Sequence, residues 1–322
     1  MPAESPGRFP TFFIVGAPKA GTTSLYQWCR QHPAVFMSPI KEPCFFAPEV
    51  ADFTPRSTRA YRADRADLRR WLDGPRLESR TSGLVLDWQD YLSLFRDAGD
   101  AVAIGEVSGN YLASETAPAA IRSRIPSARI VMMLRNPVDR LFSQYASARS
   151  VGEAEGDFGA WVEEQMRQED GRAPRFGAIW TGMYAAHLRR WQASFAPGQL
   201  RVFLYEDYAA RPREVLAELF DFIGVESGRA VDVTRRHNVT TEPRWPALHR
   251  LVGAPARWAG SGLPAGMFDR LRQWSRRPST QRPTARERAT VAAAYDADVQ
   301  ALQALLGRDL SHWRTAASSP PW

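Results

Sequence analysis

Lysine is scarce in this chain. Of 42 basic residues only Lys19 and Lys41 are lysines, and each falls in a stretch whose spacing could do chemistry. Lys19 lies within Gly16-Ala17-Pro18-Lys19-Ala20-Gly21-Thr22-Thr23-Ser24, between an apolar run and the start of a helical pattern. A strand, a glycine-punctuated turn and a helix start make an anion cradle, because loop N–H groups converge with the unpaired N–H groups of the helix's first turn. Gly16 and Gly21 stand where the backbone must bend tightly or approach an anion closely, and Thr22 and Thr23 add hydroxyl donors. Lys41 opens a second stretch, Lys41-Glu42-Pro43-Cys44-Phe45-Phe46, a turn-rich loop with an aromatic end. A third stretch places Arg135 directly after an apolar run and Ser143 eight residues later. The planar guanidinium fork can bond two phosphate oxygens at once.

Gly16 and Gly21 have the spacing of a nucleotide-binding P-loop, but the lysine is displaced. The triphosphate-binding loop carries Lys directly after its second glycine, followed by Ser or Thr for Mg²⁺. Here Thr22 occupies that place and Lys19 sits inside the loop. The run from Arg129 ends in Arg135, where such proteins carry an acidic metal ligand. Both departures point away from an ordinary nucleotide triphosphatase.

The elements that must hold these residues follow from the hydrophobic pattern. Thr11 to Val15, Ala34 to Met37, Ala101 to Val107, Arg129 to Leu134 and Leu200 to Leu204 read as strands. Helical patterns cover Thr22 to Gln31, Ala66 to Leu72, Trp88 to Phe95, Glu115 to Arg124, Phe158 to Gln168, Tyr184 to Phe195, Pro212 to Ile223 and Arg286 to Leu306. Another runs to about Ser150 from an Asn136 cap, with Pro137 at its first position, a strong start signal. Strands alternating with helices predict an α/β, P-loop-like three-layer fold. Its central parallel sheet has about five strands flanked by helices, and a C-terminal helix follows. Ligands of such sheets bind at the carboxyl ends of strands, and Lys19, Glu106 and Arg135 all fall there. The expectation is one domain over 1–322, with a core at about 11–225, an irregular substrate-side loop at about 240–283 and a C-terminal helical part at about 285–313.

Composition sets the outer limits. With 44% hydrophobic and 24% charged residues and a net charge of +7, the chain suits a globular protein with a polyanionic ligand or acidic substrate. Its arginines are scattered, so nucleic-acid binding is not expected. Cys29 and Cys44 form neither a disulfide framework nor a metal-ligand spacing. No apolar run reaches the ~18 residues of a membrane span and no leader pattern opens the chain, so the expected location is cytoplasmic.

Residues 16–25 resemble the 5′-phosphosulfate loop of sulfotransferases that use 3′-phosphoadenosine 5′-phosphosulfate (PAPS). The run Leu134 to Tyr145 resembles the 3′-phosphate motif of the same family. The Lys-Glu-x-x-Phe-Phe pattern at 41–46 is similar to that of the heparan-type members, and the chain looks nearer to these and to bacterial carbohydrate sulfotransferases than to cytosolic aryl sulfotransferases. Glu106-Val107-Ser108-Gly109 resembles their Glu-Lys-Ser/Thr-Pro strand end, with Val107 in the lysine place and Gly109 in the proline place. Cys44 stands where histidine is frequent.

The resemblance implies metal-independent in-line transfer of a sulfonate from PAPS to a hydroxyl, or an amine, leaving 3′-phosphoadenosine 5′-phosphate (PAP). The acceptor would be a carbohydrate or natural-product alcohol. Pro18, Lys19, Ala20, Gly21, Thr22, Thr23 and Ser24 would cradle the 5′ end, with Lys19 at the oxygen bridging sulfur and phosphorus. Arg135 and Ser143 would hold the 3′-phosphate, and Arg276, Arg277 and Arg282 could close over it. Glu42 would be the base, with Lys41 favouring its carboxylate form and Phe45 and Phe46 disfavouring it. Glu42 and Glu106 would face the acceptor, although a buried ion-pair role for Glu106 fits equally. The aryl enzymes use histidine instead; His32, in a helix-to-strand turn, looks structural. Two other classes stay open: a Mg-dependent P-loop small-molecule kinase and a non-catalytic nucleotide-binding module.

Overall fold

Five short apolar runs build the sheet: β1 (Phe12–Gly16), β2 (Val35–Met37), β3 (Ala103–Val107), β4 (Arg129–Leu134) and β5 (Leu200–Leu204). The computed structural model describes residues 8–53, 67–75, 77, 79, 83–150, 153–169, 176–234, 241–243, 276–278 and 282–314, with backbone alone at 51–53, 241–243 and 276–278. All pairings in this sheet are parallel, in the order β2-β3-β1-β4-β5. Every residue of β1 and β3 is buried, and every residue of β4 after Arg129, as strands covered on both faces require.

β1 lies in the middle. The chain leaves it for one edge, returns through β3, and then crosses to β4 and β5 on the other side. The carboxyl end of β1 is therefore the switch point at which a crevice opens. Three backbone bonds tie the strand ends there: Ala17 N–H to Met133 O at 2.6 Å, Ser108 N–H to Ile14 O at 3.1 Å and Leu112 N–H to Val15 O at 2.7 Å. Gly16 fits this junction because it has no side chain. A Cβ there would lie 2.7 Å from Leu112 Cβ and 2.8 Å from Gly109 O. Gly16→Ala should therefore cost about 1–3 kcal/mol by overpacking, measured as a lower denaturant midpoint; an unchanged midpoint would show that the junction can relax.

The layers are α1 (Thr22–Cys29), α2 (67–72), α3 (Trp88–Ser93), α4 (Ala117–Arg124), α5 (Pro137–Ser150), α6 (Phe158–Glu169), α7 (Tyr184–Ser194), α8 (Tyr205–Ala210), α9 (Pro212–Ile223) and α10 (Ala285–Leu306). Local chemistry starts several of them. Asn136 Oδ1 accepts from Val138 N–H at 3.0 Å ahead of Pro137, so α5 begins where its cap signal indicated. Thr284 and Glu287 form a reciprocal capping box on α10. A buried pair, Arg288 to Asp139 at 2.5 Å, fastens α10 to α5.

The residues after β5, Tyr205-Glu206-Asp207, form the first turn of α8. Within the stretch expected to be irregular, β6 (Thr241–Pro243) and β7 (Arg276–Pro278) pair antiparallel, with Glu242 opposite Arg277, and β6 runs alongside α5. Three-residue polar strands so far apart in sequence carry neither a readable period nor a hairpin turn. Among aromatic residues that could stack on a sugar ring or pack a core, Tyr91 is fully buried, Trp71 and Trp88 pack partly buried against the core, and Trp245, Trp258 and Trp274 lie outside the described residues. The buried apolar residues form one cluster from Phe12 to Trp313.

Candidate active site

The loop after β1 is shaped by unusual backbone. Lys19 has φ 68° and Gly21 φ 93°, and left-handed residues in a short loop turn successive N–H groups towards one point. A non-glycine residue keeps such a φ only where its surroundings hold it, a condition that clusters at functional sites. Among the described residues, the amides of Lys19, Gly21 and Thr22 have no acceptor. Thr22 and Ser24 are buried, whereas Pro18, Lys19 and Thr23 are half-buried.

Cations crowd this loop. Lys19 titrates below the usual lysine range, first because it is buried and then because Lys41, Arg140 and Arg135 are near. Its ammonium has no hydrogen-bond or ion-pair partner among the described residues. Arg135 lies over the Tyr205 ring at 4.6 Å from its centroid, and one guanidinium nitrogen donates to the Lys19 carbonyl at 3.2 Å. Its Nε is buried without a partner, as is Asn136 Nδ2. Arg140 is fully buried and donates to Gln144 Oε1 at 2.6 Å and to the Ala178 carbonyl; it forms no ion pair among the described residues.

The acceptor-side stretch docks against the end of β3. Glu42 N–H donates to Val107 O at 2.8 Å. The Glu42 carboxylate takes Lys41 Nζ on one oxygen and Gly109 N–H, at 2.6 Å, on the other. Gly109 also abuts Pro18: a Cβ there would lie 3.4 Å from the proline ring and 3.6 Å from Glu42 Oε1. Glu42, Lys41 and the loop around Lys19 are thus one neighbourhood. Phe45 and Phe46 pack against other aromatic rings. Phe45 stacks on Tyr91 at 4.6 Å, and Phe46 meets Phe13 edge-on at 5.7 Å. These rings belong to the core rather than to a cover over Glu42.

Glu106 is corrected outright as an acceptor contact. It is fully buried, with Oε1 accepting from Ser108 Oγ at 2.6 Å and Oε2 from Tyr91 OH at 2.5 Å. Among the described residues it forms no ion pair either, since hydroxyls hold it. Burial raises its pKa to about 7, against smaller lowering by the hydroxyls of Ser108, Tyr91 and Tyr111. A folded-state carboxyl pKa above its unfolded value binds extra protons in the native state, so this contribution to stability falls as pH rises between about 4.5 and about 7. The difference amounts to about 3 kcal/mol. Chemical denaturation at pH 5 and pH 8 should show this loss in the wild type and a smaller one in Glu106→Gln; identical pH slopes would refute the assignment.

The remaining sequence-derived residues are less closely joined. Ser143 is half-buried on α5, and its hydroxyl has no hydrogen bond among the described residues. Arg282 is exposed just before α10; Arg276 and Arg277 lie in β7, where only the backbone is described. His32 is structural, its Nδ1 accepting from Ala34 N–H at 3.1 Å and its Nε2 bonded to Glu226 O at 2.9 Å. A separate cavity of about 650 Å³, lined by Met166, Ile179, Trp180 and Met183 among others, includes none of the predicted residues. Sequence reasoning missed Tyr91, Ser108, Arg140 and Tyr205. Arg140 and Ser108 were inside quoted motifs, and their positions beside strand ends were the available signal.

A parallel sheet with a phosphate-type loop at its switch point, and cations around that loop of which Lys19, Arg135 and Arg140 form no ion pair among the described residues, defines an α/β protein with a site suited to a polyanion. The profile of the sulfotransferase family matches residues 10–228, and the chain belongs to that family. It is 25% identical over 287 residues to human (Homo sapiens) carbohydrate sulfotransferase 15, covering 76% of this chain and 50% of that protein. It is 29% identical over 224 residues to human bifunctional heparan sulfate N-deacetylase/N-sulfotransferase 3, covering 68% of this chain and 22% of that protein. The chain thus spans at most half the length of these two relatives. Among solved structures, a sulfotransferase from Alicyclobacillus acidocaldarius superposes with a TM-score of 0.67 at 27% identity, covering 95% of this chain and 99% of that one. Among the described residues, no helix is long and apolar enough to cross a membrane.

Proposed function

We propose that the chain transfers a sulfonate group from PAPS to a carbohydrate hydroxyl or amine. The observation that carries this is the cluster of Lys19, Lys41, Arg135 and Arg140 around a loop in which the amides of Lys19, Gly21 and Thr22 have no acceptor among the described residues, in a family of sulfonate-transferring proteins. The buried unpartnered nitrogens of Arg135 and Asn136 suit an anionic nucleotide, since a buried donor without an acceptor is costly. When bound, PAPS supplies an activated sulfonate on a phosphate leaving group.

The chain's own groups then have distinct tasks. The amides of Lys19, Gly21 and Thr22 and the Thr22 and Thr23 hydroxyls hold the 5′ end. The Lys19 ammonium offsets charge gathering at the bridging oxygen. Glu42, beside Gly109 and Pro18, takes the acceptor's proton, and Lys41 holds its carboxylate in place. Arg135 and Ser143 receive the 3′-phosphate, with the β7 arginines and Arg282 as further cations. No step requires a metal, because ammonium, guanidinium and backbone N–H groups meet the same negative charge. The carbohydrate class of acceptor is supported by the names of the two relatives. Two free, buried cysteines fit a reducing, cytoplasmic compartment.

The test is transfer of radiolabelled sulfonate from PAPS to heparosan and chondroitin oligosaccharides, with and without a chelator. Sulfonated product formed equally under both conditions is expected. Chelator-sensitive phosphate transfer from ATP would replace this function with that of a kinase, and donor binding without turnover would leave a binding module.

A further inference from the structure

We propose that Glu106 is a positioning residue for Glu42, acting through the Ser108 hydroxyl on the backbone of the loop that carries the base; this rests on the assignment of Glu42 just made. Glu42 has φ 68° and Cys44 φ 52°. Side chains other than glycine keep two such conformations in three residues only when neighbours pin them. One hold comes from Val85, whose N–H bonds Pro43 O at 2.9 Å; three others come from the end of β3 and the short turn Gly109–Tyr111 that follows it. Glu42 N–H bonds Val107 O, Cys44 N–H bonds Ser108 Oγ at 3.0 Å, and Phe46 N–H bonds Tyr111 OH at 3.1 Å.

Ser108 decides the middle pin. A hydroxyl has one proton to give and lone pairs to accept with. Its proton goes to Glu106 Oε1 at 2.6 Å, so a lone pair is left facing the Cys44 amide. An amide N–H cannot accept, so the reverse arrangement leaves the amide unpaired in a buried place. The carboxylate thus selects the hydroxyl orientation on which the loop hangs. Glu106 is faced by Tyr91 from α3, by Tyr111 from the turn, by Ser108 beside it, and by Cys44 and Glu42 from the loop; no cation faces it among the described residues. Both tyrosines and Ser108 are donors to a carboxylate. Glutamine has nearly the same shape but would present an NH₂ group to one of them, forcing that hydroxyl to turn.

The experiment uses the full chain with Glu106→Gln, Ser108→Ala and Ser108→Thr, and with Glu42→Gln as the benchmark. Three quantities are read: PAP affinity, amide hydrogen exchange at Cys44 and Gly109 against α1, and the kcat of sulfonate transfer from PAPS to heparosan oligosaccharides or, failing an accepted oligosaccharide, to water. For Glu106→Gln and Ser108→Ala, PAP affinity should stay within about twofold and α1 exchange should be unchanged. Exchange at Cys44 should quicken at least tenfold, and kcat should fall towards that of Glu42→Gln. Ser108→Thr, which keeps the hydroxyl, should restore both. Wild-type protection at Cys44 should change with pH across the titration of Glu106, and this dependence should vanish in Glu106→Gln. Wild-type exchange at Cys44 in Glu106→Gln would overturn the proposal. So would a uniform loss that includes PAP affinity and α1, because Glu106 would then be a general core residue. If Glu42→Gln keeps its turnover, the assignment of the base fails instead, and the exchange data still decide whether Glu106 sets the loop. Should Glu106→Gln not fold, the Ser108 pair carries the same decision.

Discussion

Lys19→Ala is expected to lower sulfonate transfer by roughly 10²–10³-fold or more, the usual cost of removing one preorganised electrostatic contact from a developing charge. The ammonium stands within the loop with no ion-pair partner among the described residues, and burial, followed by the nearby Lys41, Arg140 and Arg135, presses its pKa down. A cation held among cations gains most when negative charge builds nearby. The loss should therefore fall on kcat, with PAP affinity less affected, because the bridging oxygen carries its full charge only as its bond to sulfur breaks. Lys19→Arg should not rescue fully, since a flat fork cannot take the place of a point charge in a half-buried slot. Single-turnover rates separate the two effects. A near-normal rate in Lys19→Ala would remove the lysine from the chemistry and leave the loop as a binding cradle.

For Arg135→Ala, the expected result is a change in selectivity more than in overall binding. Hydrogen bonds to a charged group contribute about 1.5–3 kcal/mol, so affinity for PAP should fall roughly 10- to 150-fold. Affinity for the analogue lacking the 3′-phosphate should fall much less. The geometry makes this a real test, because Arg135 also donates to the Lys19 carbonyl. If the guanidinium serves mainly to brace the loop, both nucleotides lose affinity equally. Parallel titrations of PAP and adenosine 5′-monophosphate distinguish the two cases.

The donor loop was legible because its signals are local: glycine spacing, the run of apolar residues before it and the helix start after it. The same holds for Asn136 and Pro137, whose capping role needs only neighbours in sequence. Glu42 was placed by resemblance, and the structure sets it beside Pro18 and Gly109. The role of Glu106 could not be read, because a strand-end carboxylate looks alike whether it faces solvent or the interior. Only the packing of Tyr91, fifteen residues upstream on another element, decides the matter. Phe45 and Phe46 misled for the same reason, as their alternation does not say which ring follows the core. The β6–β7 pair was hidden by its brevity and by the length of chain between its strands.

One ring lies against both ends of the loop's cationic grip. Tyr205 flanks Gly21, where a Cβ would come within 3.0 Å of it, and also carries the Arg135 guanidinium on its face. The glycine turn and the arginine are therefore both braced by a single aromatic ring at the start of α8. Selectivity for one nucleotide length would then be a property of β5's exit as much as of the loop itself, and Tyr205→Leu would reveal this as relaxed discrimination between nucleotides of different phosphate spacing.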